Sequence, residues 1–418
     1  MRRDYAEFGV EMNKVEALPR MDTASECAES ALDASVVKQP KRVMGAFSAT
    51  MIVVASMVGT GVFTTTGILL ETTPSAPAVL GGWLIGGIIA FFGALSYAEL
   101  VAMQPKNGGE YQILSRVFHP AVGFVAGWIS LIVGFSAPIA STAMAFGKYA
   151  TAGFPAIHEF WAALIIIIAL SAVHAIRVTL GSAIQNAFTI LKLLLVGSFI
   201  VGGFCLGDFS RLTVETPAET WQTMLTPGFA IGLIFVTYAY TGWNGSAYIA
   251  GEVKNPSKSL PLAFALGTLI VTLIYLGLNT VFLISAPVDA LSGTIEIGAI
   301  TAASLFGTHT GQIFSIVIAL LLVSSLSAMI MAGPRIYQSM GADYPAFRFL
   351  TRRKGDSGPI CAIILQALIS IGMLLTARFD ELITYMGFTL SVSSALTVFG
   401  LFVMRHRAPN APRPYRCW

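Results

Sequence analysis

Ser56-Met57-Val58-Gly59-Thr60-Gly61-Val62-Phe63 lies in the middle of an uncharged run from Val43 to Leu70. The run is long enough to cross a bilayer, because about 20 apolar residues span the hydrocarbon core. Its centre nevertheless holds two glycines one residue apart, and each costs about 1 kcal/mol of helix propensity relative to alanine. Unwound backbone at membrane depth is tolerated only where protein buries it or where it lines a water-filled cavity. The stretch is therefore either a packed helix with a small-residue face or a helix broken to present backbone groups to a ligand. The rest of the chain decides between the two.

Of the 418 residues, 55% are hydrophobic and only 11% charged, with a mean hydropathy of +0.74. Soluble domains carry about 25% charged residues, so the composition specifies an all-α polytopic membrane protein. The first 42 residues are polar and mixed in charge, lack the apolar segment of a signal peptide, and read as a disordered cytoplasmic tail. Ten apolar runs follow, at roughly 44–70, 78–103, 121–150, 159–176, 181–206, 228–251, 261–285, 311–340, 359–377 and 381–404. Of the 25 Lys and Arg residues, all but four fall on the side of the N-terminus; Arg211 and Arg378 lie outside, and Lys148 and Lys192 within apolar runs. That asymmetry predicts both termini in the cytoplasm. Four scattered cysteines show neither a disulfide framework nor metal spacing.

Lys192 sits near the middle of an uncharged run from Val178 to Gly207 and reaches neither interface. A charge at that depth costs at least about 2.5–3.5 kcal/mol. Either carbonyls at a helix break pin it structurally, or it replaces a bound cation or carries a proton; both place the amine beside unwound backbone. Lys148, near the outer end of the third run, reads as a snorkelling lysine. The sixth run holds Tyr238-Ala239-Tyr240-Thr241-Gly242-Trp243-Asn244, either a tight crossing with buried aromatics or a second break. The first and sixth runs each open one half of a ten-helix set, and inverted-repeat transporters interrupt corresponding helices of their two halves. Position therefore favours breaks in both. Glu252, at the cytoplasmic end of the sixth run, and Glu99, at the end of the second, read as interfacial acids or gating ion pairs. His174 and His309 read as interfacial and packing residues. Ser324, Ser325 and Ser327 are expected to bond back to their own helix, unless Lys192 draws one away. The spans lack HExxH, a nucleophile elbow, paired carboxylates, a P-loop and a Rossmann fingerprint, which argues against an enzyme or an ATP-driven pump.

The chain resembles the amino acid–polyamine–organocation permeases, near their L-type amino acid transporter branch. Val58-Gly59-Thr60-Gly61-Val62-Phe63 is similar to that family's Gly-Ser-Gly-Ile-Phe motif, and Tyr238–Asn244 to its Phe-Ala-Tyr-Gly-Gly-Trp-Asn motif. Gly251-Glu252-Val253-Lys254-Asn255-Pro256, Leu260-Pro261 and Ala332-Gly333-Pro334-Arg335 extend the resemblance over about residues 41–416. It implies the LeuT-type fold, a 5+5 inverted repeat of ten transmembrane helices with helices 1 and 6 broken. The repeats would span 43–206 and 228–404, joined by an outer loop over 207–227. By resemblance, the amides of Gly59, Thr60 and Gly61 take a substrate carboxylate. Carbonyls of Met57, Tyr238 and Thr241 take the α-ammonium, Asn244 lies with them in the substrate site, and the Tyr238 ring closes over it. Lys192 matches a lysine that stands where sodium sits in sodium-coupled relatives, bridging a first-helix carbonyl and Ser324 or Ser325. Two departures stand out. Thr241 replaces a glycine, and the chain ends at Trp418 where family members continue with two further helices, so 405–418 reads as a truncated cytoplasmic tail.

These readings predict a secondary transporter in the plasma (inner) membrane carrying neutral L-amino acids by sodium-independent exchange or H+-coupled uptake. No acid is expected near either break to pair with a cationic side chain, which disfavours the alternative of a polyamine or cationic amino acid exchanger. A non-transporting membrane sensor or packing subunit is the alternative of another class. No cofactor, metal or nucleic-acid partner is implied, and an accessory subunit is left open.

Overall fold

The computed structural model describes residues 42–154, 156–212, 216–294, 297–307, 310–353 and 357–417. The tail expected over 1–42, apart from Arg42, and His309 lie outside the described residues. The described residues form helices α1 (Ala46–Met57), α2 (Thr65–Thr72), α3 (Ala76–Met103), α4 (Glu110–Val117) and α5. The last runs from Pro120–Ile129 through a π-helical stretch, Ser130–Ser136, into Ala137–Gly153. There follow α6 (Glu159–Ile176), α7 (Val178–Leu206), α8 (Pro217–Met224), α9 (Pro227–Ala239), α10 (Pro256–Ser285), α11 (Ile297–Phe306), α12 (Gly311–Ala332), α13 (Pro334–Asp343), α14 (Ile360–Thr376) and α15 (Phe379–Arg407).

Starts of these helices follow local chemistry. Proline occupies the first turn of α3, α5, α9, α10 and α13, where its missing N–H costs nothing. Ser75 caps α3 by accepting from the Ala78 amide at 3.2 Å, and Thr226 caps α9 by accepting from Phe229 at 3.3 Å.

Among the described residues, seven helices are long and apolar enough to cross a membrane, or eight if α8 and α9, bent by 76°, count as one span. Ten apolar runs were predicted from the sequence. The difference lies in the first, which is split into α1 and α2, the sixth, in which α9 stops at Ala239, and the ninth, in which α14 covers 17 residues. The stretch read as a loop over 207–227 contains α8 and a short 3-10 turn, Phe209–Leu212.

Beyond its first turn, where Phe47 is exposed, helix α1 is largely apolar and buried on all faces: Ala49, Ile52, Val53, Val54 and Ala55 have no exposed surface. Such a helix belongs at the centre of a bundle, and α7, α10 and α12 pack against it. The periphery is apolar as well. Ile88, Phe92, Ile165, Leu194, Leu273 and Phe388 are exposed, a distribution that suits hydrocarbon and not water.

Candidate functional site

Helix α1 ends where Val58, at φ −75° and ψ 89°, leaves helical geometry. Gly59 and Thr60 carry the chain to a 3-10 turn, Gly61–Phe63, before α2 begins. Helix α9 stops at Ala239, and the chain continues through two 3-10 turns, Gly245–Ala247 and Ala250–Glu252. The two interrupted segments lie against each other. A Cβ on Gly61 would sit 2.9 Å from the Ala239 Cα, and one on Gly242 would sit 2.5 Å from the Ser56 carbonyl oxygen. Gly242 also has φ +98°, in the region that favours glycine.

Helix ends at membrane depth must find partners for their backbone groups. The Val58 carbonyl accepts from Lys192 Nζ at 2.5 Å and from Ser325 Oγ at 2.6 Å, and Lys192 Nζ also donates to Ser325 Oγ at 2.7 Å. The Tyr275 hydroxyl, from α10, lies 2.6 Å from the Met57 carbonyl and 2.9 Å from the Ala239 carbonyl, one at each interruption. By contrast, the amides of Gly59 and Thr60 find no acceptor among the described residues. The Val58, Met57 and Ala239 carbonyls thus have donors, whereas the Gly59 and Thr60 amides stay open.

Lys192 ends a polar stripe on α7. Gln185, Thr189 and Lys192, at the helical spacing that shares one face, are all buried. Gln185 donates to the Met51 carbonyl at 3.3 Å, and Thr189 Oγ1 lies 2.9 Å from Ser324 Oγ. The serines of α12 were expected to bond back to their own helix. Instead they reach across: Ser324 to Thr189, Ser325 to Val58 and Lys192, and Ser327 to His174 Nε2 at 2.8 Å. His174 is accordingly a buried packing residue with a polar partner. Packing overrides the local back-bond because each hydroxyl meets a buried polar group on a neighbouring element.

Met57, Gly59, Thr60, Gly61, Tyr238, Thr241 and Asn244 all line one cavity of about 90 Å³. Gly134 and Phe135, in the π-helical stretch of α5, and Pro138 close another side; π-bulges frequently occur at functional sites. No charged side chain lines it among the described residues. Lys192, Ser324 and Ser325 do not line it; Lys192 and Ser325 hold the Val58 carbonyl, between the lining residues Met57 and Gly59, and Ser324 bonds Thr189. The Tyr238 ring packs against Ala137, Ala140, Leu382 and Met386, between α5 and α15. Two of the expected ligands are already engaged: the Met57 carbonyl faces the Tyr275 hydroxyl at 2.6 Å, which leaves it one lone pair, and the Tyr238 carbonyl accepts both the Thr241 amide at 2.9 Å and the Thr241 hydroxyl at 2.7 Å. Lys148 is exposed and borders a second cavity, of about 170 Å³, with Thr60, Phe63, Tyr149 and Phe379.

Three acids are buried near the α1 and α9 interruptions or the bundle end. Glu252 pairs with Arg335 at 3.2 Å and Arg353 at 3.3 Å, and accepts from Asn107 Nδ2 at 3.2 Å. Burial alone would raise its carboxyl, but the two guanidiniums hold it below the ordinary glutamate value. Its carbonyl accepts the Val43 and Met44 amides, which ties the approach to α1 to the segment after α9. Glu99 accepts from Arg405 at 2.6 Å, Arg413 at 3.1 Å and the Cys417 amide at 2.7 Å. Glu110 accepts from Tyr97 at 2.6 Å, Asn244 at 3.1 Å and Ser393 at 2.6 Å. The expectation that no acid stands near either break is therefore wrong. Glu110 follows Gly108-Gly109 in what reads as a surface loop, and only the folding of α4 beneath the bundle brings it to Asn244. Its one sequence signal is a lone acid directly after a glycine pair.

A profile of the amino acid permease family matches residues 44–418. The mouse b(0,+)-type amino acid transporter 1 is 28% identical over 383 residues, covering 89% of this chain and 78% of that protein. The mouse large neutral amino acids transporter small subunit 2 is 28% identical over 409 residues, covering 95% and 76%. The serine/threonine exchanger SteT of Bacillus subtilis is 28% identical over 395 residues, covering 90% and 86%. Among solved structures, the crystal structure of MhsT in complex with L-phenylalanine superposes with a TM-score of 0.59 at 13% identity, over 88% of this chain and 90% of that one. That likeness shows a shared LeuT-type architecture.

Proposed function

The chain belongs to the amino acid permease family and is an integral membrane protein; from that premise we propose that it carries neutral L-amino acids across the plasma (inner) membrane by sodium-independent exchange or H+-coupled uptake. The observation that carries this reading is the pairing of open amides at Gly59 and Thr60 with an uncharged cavity lined by both interrupted helices. Open N–H groups at a helix break favour an anion, and an uncharged lining favours a neutral side chain. The substrate carboxylate is assigned to the amides of Gly59, Thr60 and Gly61. The α-ammonium is assigned to the carbonyls of Met57 and Thr241. The Tyr238 carbonyl joins them only when the Thr241 hydroxyl turns away from it, so the threonine that replaces the family's glycine competes with substrate for that acceptor.

Lys192, with Ser325 and with Ser324 beside it, is assigned the place of a bound cation, fixing the Val58 end of α1 from behind. Tyr238 and Glu252 are assigned to gating. The ring caps the cavity, and the Glu252–Arg335–Arg353 group closes the side that the positive charge bias places in the cytoplasm. Rocking of residues 43–206 against 228–404 would open each side in turn. Relatives named as transporters or exchangers of amino acids support the substrate class. Reconstitution in liposomes preloaded with a neutral amino acid tests the reading. Saturable, sodium-independent uptake of the labelled amino acid is expected, and absence of both uptake and exchange with any amino acid overturns it. Glu110, one hydrogen bond behind Asn244, favours as a second reading a cationic amino acid or polyamine substrate, which a competition panel with lysine, arginine and putrescine separates.

A further inference from the structure

Glu110 differs from the other buried acids. Glu99 and Glu252 each hold two arginines. Glu110 is 3% exposed and, among the described residues, has no ion pair. Its partners are neutral donors on three elements: Tyr97 on α3, Asn244 in the α9 interruption, and Ser393 with Ser394 on α15. Taking a carboxylate out of water costs several kcal/mol even after relaxation, and neutral hydrogen bonds offset only part of that. A carboxylic acid avoids the cost. The surroundings also accommodate it: the Tyr97 and Ser393 hydroxyls are rotors, and Ser393 Oγ can accept a proton from Glu110 where it now donates. The titratable groups facing the carboxyl are the Tyr97 and Tyr248 phenols, which do not ionise near neutral pH in their ordinary range of about 10. Burial pushes the Glu110 carboxyl up from its ordinary value, against the pull of its donors.

We propose that Glu110 is a proton-binding site whose occupancy is coupled to the conformation of the substrate cavity through Asn244. Asn244 touches both: it lines the cavity and donates to Glu110 Oε1. Gly109 sets the geometry, since it has φ +50° and a Cβ there would lie 2.3 Å from the Tyr248 ring, so α4 enters with its first residue held beneath the cavity floor. While Tyr97, Asn244 and Ser393 stay together, the carboxyl is dry and holds a proton. When the α9 interruption moves away from α15, water reaches the carboxyl and the proton leaves as hydronium. A conformational change that alters proton affinity is, reciprocally, driven by proton binding. The coupling half rests on the alternating-access reading above; the proton site does not.

Two measurements on the full chain in liposomes test this. In infrared difference spectra recorded across a pH titration, the wild type should show a protonated-carboxyl band that titrates above the ordinary glutamate range of about 4.3. Glu110→Gln should lose the band, and Glu110→Asp, which keeps a carboxyl, should shift it. Under an imposed acid-outside gradient, Glu110→Gln should lower the ratio of gradient-driven uptake to counterflow exchange by about tenfold or more, the size of an ordinary coupling free energy. A band that is absent in the wild type or survives in Glu110→Gln overturns the site, and a wild-type ratio in Glu110→Gln overturns the coupling. Failure of wild-type counterflow with the Glu110 band present would sink the transport reading and leave the proton site standing.

Discussion

The Lys192 amine has two acceptors, the Val58 carbonyl and the Ser325 hydroxyl, and both are neutral. Its charge is therefore spent on the end of α1 and not on a counter-ion. Lys192→Ala leaves Val58 with the Ser325 hydroxyl at 2.6 Å, so the break keeps a partner and the protein should fold. Transport should fall by about a hundredfold, the cost of small misplacements in a bound geometry. Unchanged rates in liposome exchange would reduce Lys192 to a structural pin. Glu252 is the opposite case, a buried acid between two arginines. Glu252→Ala takes the counter-ion from the buried Arg335 and from Arg353 and should cost about 3–5 kcal/mol of stability, read as a lower unfolding midpoint in detergent. Because the folded carboxyl lies below its unfolded value, its contribution is present above about pH 4.3 and is lost as pH falls through the folded value. The wild type should then converge on the variant in acid. Both residues could be singled out in the sequence by charge alone. Their partners could not: a lysine in an apolar run announces that it needs acceptors without saying which serine of another helix supplies one.

At the scale of elements, the two interruptions act as one unit because Tyr275 joins them. Tyr275→Phe removes the one proton that the Met57 and Ala239 carbonyls share and should cost about 1–3 kcal/mol, the penalty of one buried group left unsatisfied. It should also weaken substrate binding, measured by titration calorimetry, whereas wild-type affinity and stability would show that the contact is incidental. Gly61→Ala pushes a Cβ to within 2.9 Å of Ala239 Cα. It should spread the segments and lower affinity by about tenfold, since overpacking a tight contact costs about 1–3 kcal/mol. Paired glycines and a matching position in the other half make both interruptions legible in the sequence. Tyr275 was not, although a phenol in mid-span must find a partner when buried. Glu110 escaped for a different reason: α4 reads as a surface loop helix, and burial beneath the bundle is a tertiary fact with no local signature.

For the whole molecule, composition alone specified a helical membrane protein. Helix number was less legible. Uncharged length marks a run as able to span, but interrupted runs such as 44–70 yield short helices that length criteria pass over. The absence of an acid near the breaks, inferred from linear distance, failed because α4 folds back under α9's continuation. What unites the scales is a division of labour at the breaks, with carbonyls covered by Lys192, Ser325 and Tyr275 and amides left open at Gly59 and Thr60. The most direct measurement is calorimetric binding of a neutral amino acid to the purified protein, compared with analogues lacking either the carboxylate or the amine. The account predicts that leucinol and isocaproate each bind at least about a hundredfold more weakly than leucine, as when a buried polar site loses its partner. Binding of leucinol as tight as leucine would contradict it.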